Sequence, residues 1–436
     1  MPASPSSADT TGLSDTEPYA SLRAEIGRIP CINSHSHLMP EAQRLATPVD
    51  ALSLFGHAYP AADLRSAGMT QETLDEICDL SRPLALRWER FAPYWQRVRL
   101  TGYSRCLRIG FEDLLGFADL TADTVGPLSA ALAAHAKPGF YGEILRKRAN
   151  IRCSVVNMED LVDVDRELFL PLPRLNRFSM LRSADQLQAI EADYAASITS
   201  LADHVALIDR VCQDWKRAGV AGIKLSQSYH RRMDFEGREP GAAVTVFAGL
   251  LRGDYDGLES PAGRLLEDYL VFECCRAASE ADLTIQFHQG MRAGNYGGME
   301  GASPAPLAPL MQNFRNARFD LSHAGFPYLR EGAVLGKTFP NVYLNMSWIH
   351  IISPFGARLD LREWLEMVPT NKIIAFGDDL AHAEAVYGHA QMARDNFAYV
   401  LTQMIQERRL SESEAVDVAR AAFHDNPAHI YNLDGG

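Results

Sequence analysis

The sequence predicts an α/β fold, a (β/α)8 TIM barrel with a helical insertion after strand 1. Short apolar runs alternate with amphipathic helical stretches, and the later ones recur at about the length of a βα unit. Several of these runs end in His or Asp, and the C-terminal ends of parallel barrel strands are where such a fold gathers its site. The 436 residues suit one large barrel with insertions better than a minimal domain.

Residues 29–37 read Ile-Pro-Cys-Ile-Asn-Ser-His-Ser-His, a short buried strand ending in polar residues. Helical patterns then dominate residues 40–150, at 71–80, 83–100 and 127–137. The Pro138-Gly139 pair breaks the last of these, before 141–147. This stretch is the expected insertion. Residues 151–158 form the next strand. Residues 204–218 form an amphipathic helix with Val205, Ile208, Val211, Cys212 and Trp215 on one face, and the strand 220–226 follows it. A helix at 261–280 leads into a strand at 283–288, and three more strands fall at 319–323, 342–347 and 373–379. The eighth strand is expected near 178–181. Residues 229–257 are long for a barrel loop and read as a lid, and 295–309, rich in Gly, Ala and Pro, as a mobile or merely disordered loop. Residues 401–436 read as helical, completing the barrel or covering one end. Residues 1–18, rich in Ser, Thr, Pro, Ala and Asp, form a disordered tail before a single domain at 19–436.

Hydrophobic residues make up 47% and charged residues 22% of the chain, enough apolar content for a large core. The net charge of −13 and the lack of a basic run longer than Arg231-Arg232 or Lys147-Arg148 exclude nucleic acid as a partner. No apolar run is long enough to cross a membrane, and the first residues lack the basic and apolar regions of a secretory signal. The seven cysteines are scattered without a CxxC pair and read as reduced core thiols in a cytoplasmic setting. A small-molecule substrate is the expected partner, and a homo-oligomer fits as well.

The placement of the histidines carries the chemistry. His35 and His37 end the first strand, and residues two apart on a strand point to the same side, so both imidazoles can reach one metal. His288 ends the strand 283–288, His323 ends 319–323, and Asp378-Asp379 ends 373–379. Imidazoles with a carboxylate suit zinc, with manganese or iron as competitors. A metal of this kind lowers the pKa of bound water and polarises a carbonyl.

Taken together, His35-Ser36-His37, His288, His323 and Phe376-Gly377-Asp378-Asp379-Leu380-Ala381-His382 resemble the amidohydrolase superfamily. More narrowly they resemble its amidohydrolase-related branch (amidohydrolase 2), which includes decarboxylases, lactonases and uronate isomerases. That branch often ends strand eight with Gly-Ser-Asp or Gly-Thr-Asp and a histidine three residues later. Asp379 and His382 match that spacing, and Asp378 stands in place of the small hydroxyl residue. The resemblance implies that His35, His37, His288 and Asp379 bind the metal, that His323 meets the substrate's carbonyl or leaving group, and that Asp379 also shuttles a proton. Lys224 matches the strand whose carboxylated lysine bridges two metals in some members. One metal is expected here, with Lys224 in a structural ion pair. The insertion is loosely similar to that of uronate isomerases and would set Tyr94, Trp95, Arg99 and Tyr103 over the mouth.

The resulting expectation is a metal-dependent hydrolase that cleaves a C–N or C–O bond of a small polar molecule. The alternatives are a decarboxylase or uronate-type isomerase on the same scaffold and, behind these, a non-catalytic metal- or ligand-binding barrel. Arg231, Arg292, Trp348 and His382 are candidate substrate contacts, and each has a plain structural reading beside it: solvated loop charges, packing, or the start of a helix. Asp378 is expected to cap the helix that follows it.

Overall fold

The computed structural model describes residues 17–56, 58–159, 161–162, 164–236 and 240–433. Residues 1–16 of the expected tail lie outside it, as does His57. The helix Glu17–Arg28 starts inside the range given to the tail.

The fold is α/β of the TIM-barrel type, with eight strands in two parallel sheets among the described residues. One sheet holds β1 (Cys31–Ser36), β2 (Ile151–Met158) and β3 (Phe169–Pro173) in that order. The other holds β4 (Gly222–Leu225), β5 (Thr284–His288), β6 (Phe319–Ser322), β7 (Val342–Asn345) and β8 (Ile373–Ile374). Backbone hydrogen bonds join the neighbouring edges. Between β3 and β4, the Ala221 N–H donates to the Pro171 carbonyl (2.9 Å) and the Leu175 N–H to the Lys224 carbonyl (3.1 Å). Between the ends of β8 and β1, the Ser34 N–H donates to the Phe376 carbonyl and the Asp379 N–H to the His35 carbonyl, both at 3.0 Å.

The expected strand at 178–181 is not there. A short helix, Asn176–Ser179, takes that place, and the third strand lies earlier, at Phe169–Pro173. Pro171 and Pro173 argue against a strand in the sequence, because proline cannot donate to the ladder. The structure tolerates them because residues two apart face the same neighbour. Both missing N–H groups therefore fall on the sparsely bonded β4 side, where the Pro171 carbonyl accepts. The last strand is also shorter than expected: regular pairing stops at Ile374, and the Ala375 N–H donates to the Ala422 carbonyl instead.

Between β1 and β2 the helices Gln71–Cys78, Leu84–Val98 and Val125–His135 lie close to the sequence expectation, and a further helix, Gly102–Leu115, was not expected. Trp95 is fully buried there, stacked on Phe91, rather than exposed over a mouth. The expected lid at 229–257 contains a helix, Pro240–Arg252. The C-terminal segment is helical up to Ile430, and Ala428, Ile430 and Tyr431 pack against β1, β2, β3, β7 and β8 residues, so it covers one end of the sheets. All seven cysteines are unpaired, six of them buried. Among the described residues no helix is long and apolar enough to cross a membrane.

Polar side chains from β1, β5, β6 and β7 meet in the interior. The fully buried Asp320 carboxylate accepts from Gln286 Nε2 (2.7 Å), Asn345 Nδ2 (3.0 Å) and the Tyr431 hydroxyl. Buried polar groups cost stability unless paired, so this network locks the strands in register and orients Gln286 toward Lys224.

Candidate active site

The strand ends deliver three ligand-type groups to one point. His35 lies near the end of β1, His37 just past it with Ser36 between them, and Asp379 in the segment that follows β8. Both His35 Nε2 and His37 Nε2 sit 3.0 Å from Asp379 Oδ1. Gly377 makes this approach possible: a Cβ there would lie 2.5 Å from Ser347 Cβ and 2.9 Å from Ser34 Oγ. Asp379 itself takes φ +54°, and His323 and Trp348, after β6 and β7, take +68° and +67°. Left-handed backbone at three strand ends is strain held at a site by its surroundings.

Burial by itself would raise the Asp379 carboxyl. His323, His35 and the hydrogen bonds from His35 and His37 outweigh it and hold the group well below the usual carboxylate range. Burial and the Lys224 charge push His35 down to about 3, against the pull of Asp379. An ionised carboxylate therefore meets a neutral imidazole at pH 7. His35, His37 and Asp379 offer ligand atoms that all lie within 4.8 Å of one another. Ligands bonded tetrahedrally at about 2.0–2.1 Å stand roughly 3.3 Å apart, close to the separations here, so the trio fits a divalent metal.

His288 stands beside that trio and not within it. Its Nε2 donates to the Met291 carbonyl (3.0 Å), and its ring lies 4.3 Å from the His323 ring and 4.5 Å from Tyr229. His323 Nδ1 is 3.6 Å from Asp379 Oδ2 and 3.2 Å from the Ser347 hydroxyl. His323 is fully buried and not among the lining residues of the cavity, so it supports Asp379 from behind. Lys224 has no carboxylate partner among the described residues, which overturns the expected ion pair. Its Nζ donates to Gln286 Oε1 (2.9 Å) and Ser322 Oγ (2.8 Å), and burial pushes it down to about 7 against Asp379 and Asp320.

These groups open onto a cavity of about 820 Å³. Its walls include residues the sequence did not single out for it. Tyr59, on the helix Ala58–Ser66, donates its hydroxyl to Asp379 Oδ2 (2.6 Å) and stacks on Trp348 and Tyr103 at 4.4 and 5.2 Å. No local signal marks it. Arg174, just past β3, would have been found by the strand-end rule had that strand been placed correctly; it binds Asn157 Oδ1 (2.7 Å) and Glu159. Arg182 reaches the cavity and forms no ion pair among the described residues. Tyr229 and His230 follow β4 and also line it.

The expected substrate contacts fall elsewhere. Arg231 is buried, 3.2 Å from Glu267 and 2.7 Å from Asp268, and does not line the cavity. Arg292 donates to the Glu300 carbonyl (3.1 Å) within its own loop. Trp348 is fully buried behind Tyr59. His382 starts the helix Ala383–Gln406 and lines a separate small pocket with Tyr103 and Ala385. Asp378 does not cap that helix. It accepts from the Leu380 N–H (2.6 Å) and from Asn33 Nδ2, tying the end of β8 to β1, and burial pushes it up to about 8. The loop at 295–309 is anchored by Asn295, which donates to the Ala62 carbonyl and Ser66 Oγ, both at 3.1 Å.

Known proteins give this arrangement a context. The chain is similar to the uronate isomerase of Phenylobacterium zucineum, 28% identical over 213 residues, 44% of this chain and 43% of that protein. It is also similar to the uronate isomerase of Rhizorhabdus wittichii, 23% identical over 447 aligned residues and 91% of each chain. Some relatives are matched only in part: the chain spans under half of the Phenylobacterium protein and 20% of Protein fluG of Emericella nidulans. In fold it resembles the crystal structure of glucuronate isomerase from Caulobacter crescentus, with a TM-score of 0.81 at 19% identity over 98% of this chain and 96% of that one. The family model described as amidohydrolase matches residues 203–433, just over half of the chain, and the protein belongs to that family.

Proposed function

We propose that the protein is a metal-dependent isomerase that interconverts the aldose and ketose forms of a small sugar acid. The observation that carries this is the pairing of groups in one cavity: a His35-His37-Asp379 corner that fits a metal, and Arg174 and Arg182 on its wall. A uronic acid has a carbonyl end for the first and a carboxylate for the second. The near full-length similarity to a uronate isomerase supports the same reading. The edge hydrogen bonds support one closed eight-stranded barrel in a single domain, with the helices after β1 as an insertion.

His35, His37 and Asp379 hold the metal, with His288 adjacent. A divalent metal bound there polarises the substrate carbonyl and neutralises charge on its oxygen. Tyr59 and His323 fix the Asp379 carboxylate from two sides. Arg182 and Arg174 grip the substrate carboxylate. The loop 295–309, pinned to the helix Ala58–Ser66 by Asn295, limits water entry. Incubating the zinc- or manganese-loaded protein with D-glucuronate and D-galacturonate and following ketose formation by NMR tests this. Ketose signals support it, and unchanged aldoses sink it.

Lys224 favours a second reading, hydrolysis. A cavity-lining amine that burial holds down to about 7 can take up CO₂, and a carboxylated lysine would bridge two metals. Metal content by mass spectrometry for wild type and Lys224→Ala separates the two. One metal, retained in the variant, fits the isomerase; two, falling to one or none, fits the hydrolase.

A further inference from the structure

We propose that the outer face shared by the helices Leu329–Thr338 and Pro354–Met367 is covered by a second copy of this chain. The contact is independent of which reaction the cavity performs.

These two helices follow β6 and β7 and lie side by side. Arg330 Nε stands 2.9 Å from Glu363 Oε1 across them, and Lys337 Nζ donates to the Met367 carbonyl (3.1 Å). Phe355 and Leu359, four residues apart, point the same way from one helix. Val334 comes one turn after Arg330, and Leu359 one turn before Glu363, so these two apolar side chains flank the ion pair. Phe355 is 73% exposed, Leu359 56% and Val334 51%. The face continues into the partly buried Phe326, whose ring edge lies 3.8 Å from where a Cβ on Gly356 would stand.

A helix on the outside of a barrel ordinarily turns charged side chains to water. Pro354–Met367 instead turns Phe355 and Leu359 outward in its first two turns and keeps Glu363 and Glu366 for the last. The three exposed side chains present about 300 Å² together, the size at which an apolar patch on a soluble protein marks a contact. A stable contact buries about 800 Å² per partner, a little over half of it apolar. Phe326, Leu329 and the aliphatic stems of Arg330 and Lys337 border the patch and extend it toward that size.

Charge selects the occupant. The chain carries −13, so most of its surface repels another copy. On this face Arg330 and Lys337 stand against Glu331 on one helix, and two arginines against three acids on the other, so the pair sums to zero. Two copies can meet here without bringing an excess of like charge together. A lipid surface would call for a basic excess around the apolar residues, and this face has none.

Sedimentation velocity up to about 100 µM tests this, with wild type forming an assembly larger than one chain. Phe355→Glu and Leu359→Glu each set an uncompensated carboxylate into the contact. Each should weaken association by about 100-fold or more with the melting temperature kept, since both side chains already face water in the single chain. Val244→Glu, on the exposed side of the helix Pro240–Arg252, should leave the assembly intact. Hydrogen exchange of wild type needs no variant: raising its concentration should add protection within residues 329–338 and 354–367. An assembly lost in Phe355→Glu and Leu359→Glu, with that protection, supports the proposal. A wild type that stays monomeric leaves the face to another partner and overturns it. An assembly that both substitutions leave intact also overturns it. Protection confined to other segments does so whatever the variants do.

Discussion

The two sides of the cavity are built on opposite principles. At the β8–β1 corner the side chains are spent on one another: Asp379 binds His35, His37 and Tyr59, and His323 backs it. At the β3–β4 wall the groups are half-used. Among the described residues Arg182 forms no ion pair, the His230 Nδ1 has no hydrogen-bond partner, and Lys224 donates only to neutral oxygens. A corner whose partners are internal can hold a cofactor at fixed geometry, and a wall with unspent donors and acceptors can meet a substrate. On the proposed reading one side holds and the other recognises.

Removing the corner's centre should break this contrast most severely. Asp379→Asn is expected to cost about 10³-fold or more in turnover and to lower bound metal, with far-UV circular dichroism unchanged. Near-normal turnover would mean that the corner is not the metal site. On the wall, Arg182→Met should raise KM for a uronate by about 10- to 100-fold, the worth of a charged hydrogen bond, with kcat within a few-fold. A kcat loss at unchanged KM would move Arg182 out of recognition. Tyr59→Phe removes one bond to Asp379 and should cost about tenfold in kcat, with metal retained. Metal loss there would show that Tyr59 holds the corner together.

The pH dependence of Lys224 bears on stability rather than on turnover. Its folded value of about 7 lies below the unfolded value of 10.5, so between them the unfolded chain binds the extra proton. Below about pH 7 the full penalty of a buried ammonium is present, and stability rises as pH climbs from 7 toward 10.5. Urea unfolding of metal-free protein should show that rise in wild type and not in Lys224→Met. Parallel curves would mean that Lys224 is solvated.

Much of the corner was legible because strand periodicity is local. His35 and His37 share a face by alternation alone, and Asp379 is marked by its place after Gly377 at the end of an apolar run. The wall was less legible. Arg174 was missed with its strand, since Pro171 and Pro173 read as breakers until the sheet shows that their missing donors face a sparse edge. Arg231 and His230 are neighbours with opposite fates: one is buried against Glu267 and Asp268, and the other opens on the cavity. Nothing in the residue types distinguishes them, because the turn after β4 decides which side chain faces in.

The sequence by itself determined the α/β alternation, the apolar strands that end in polar residues, and the His-x-His and Asp379 group. Each rests on spacing along one segment of chain. Only the tertiary structure decided that Tyr59 reaches Asp379 from 320 residues away, that Lys224 pairs with Gln286 and Ser322 rather than with an acid, and that His323 stands behind the cavity. Those contacts depend on how separate elements pack, and long-range packing leaves no period in the sequence for a local pattern to reveal.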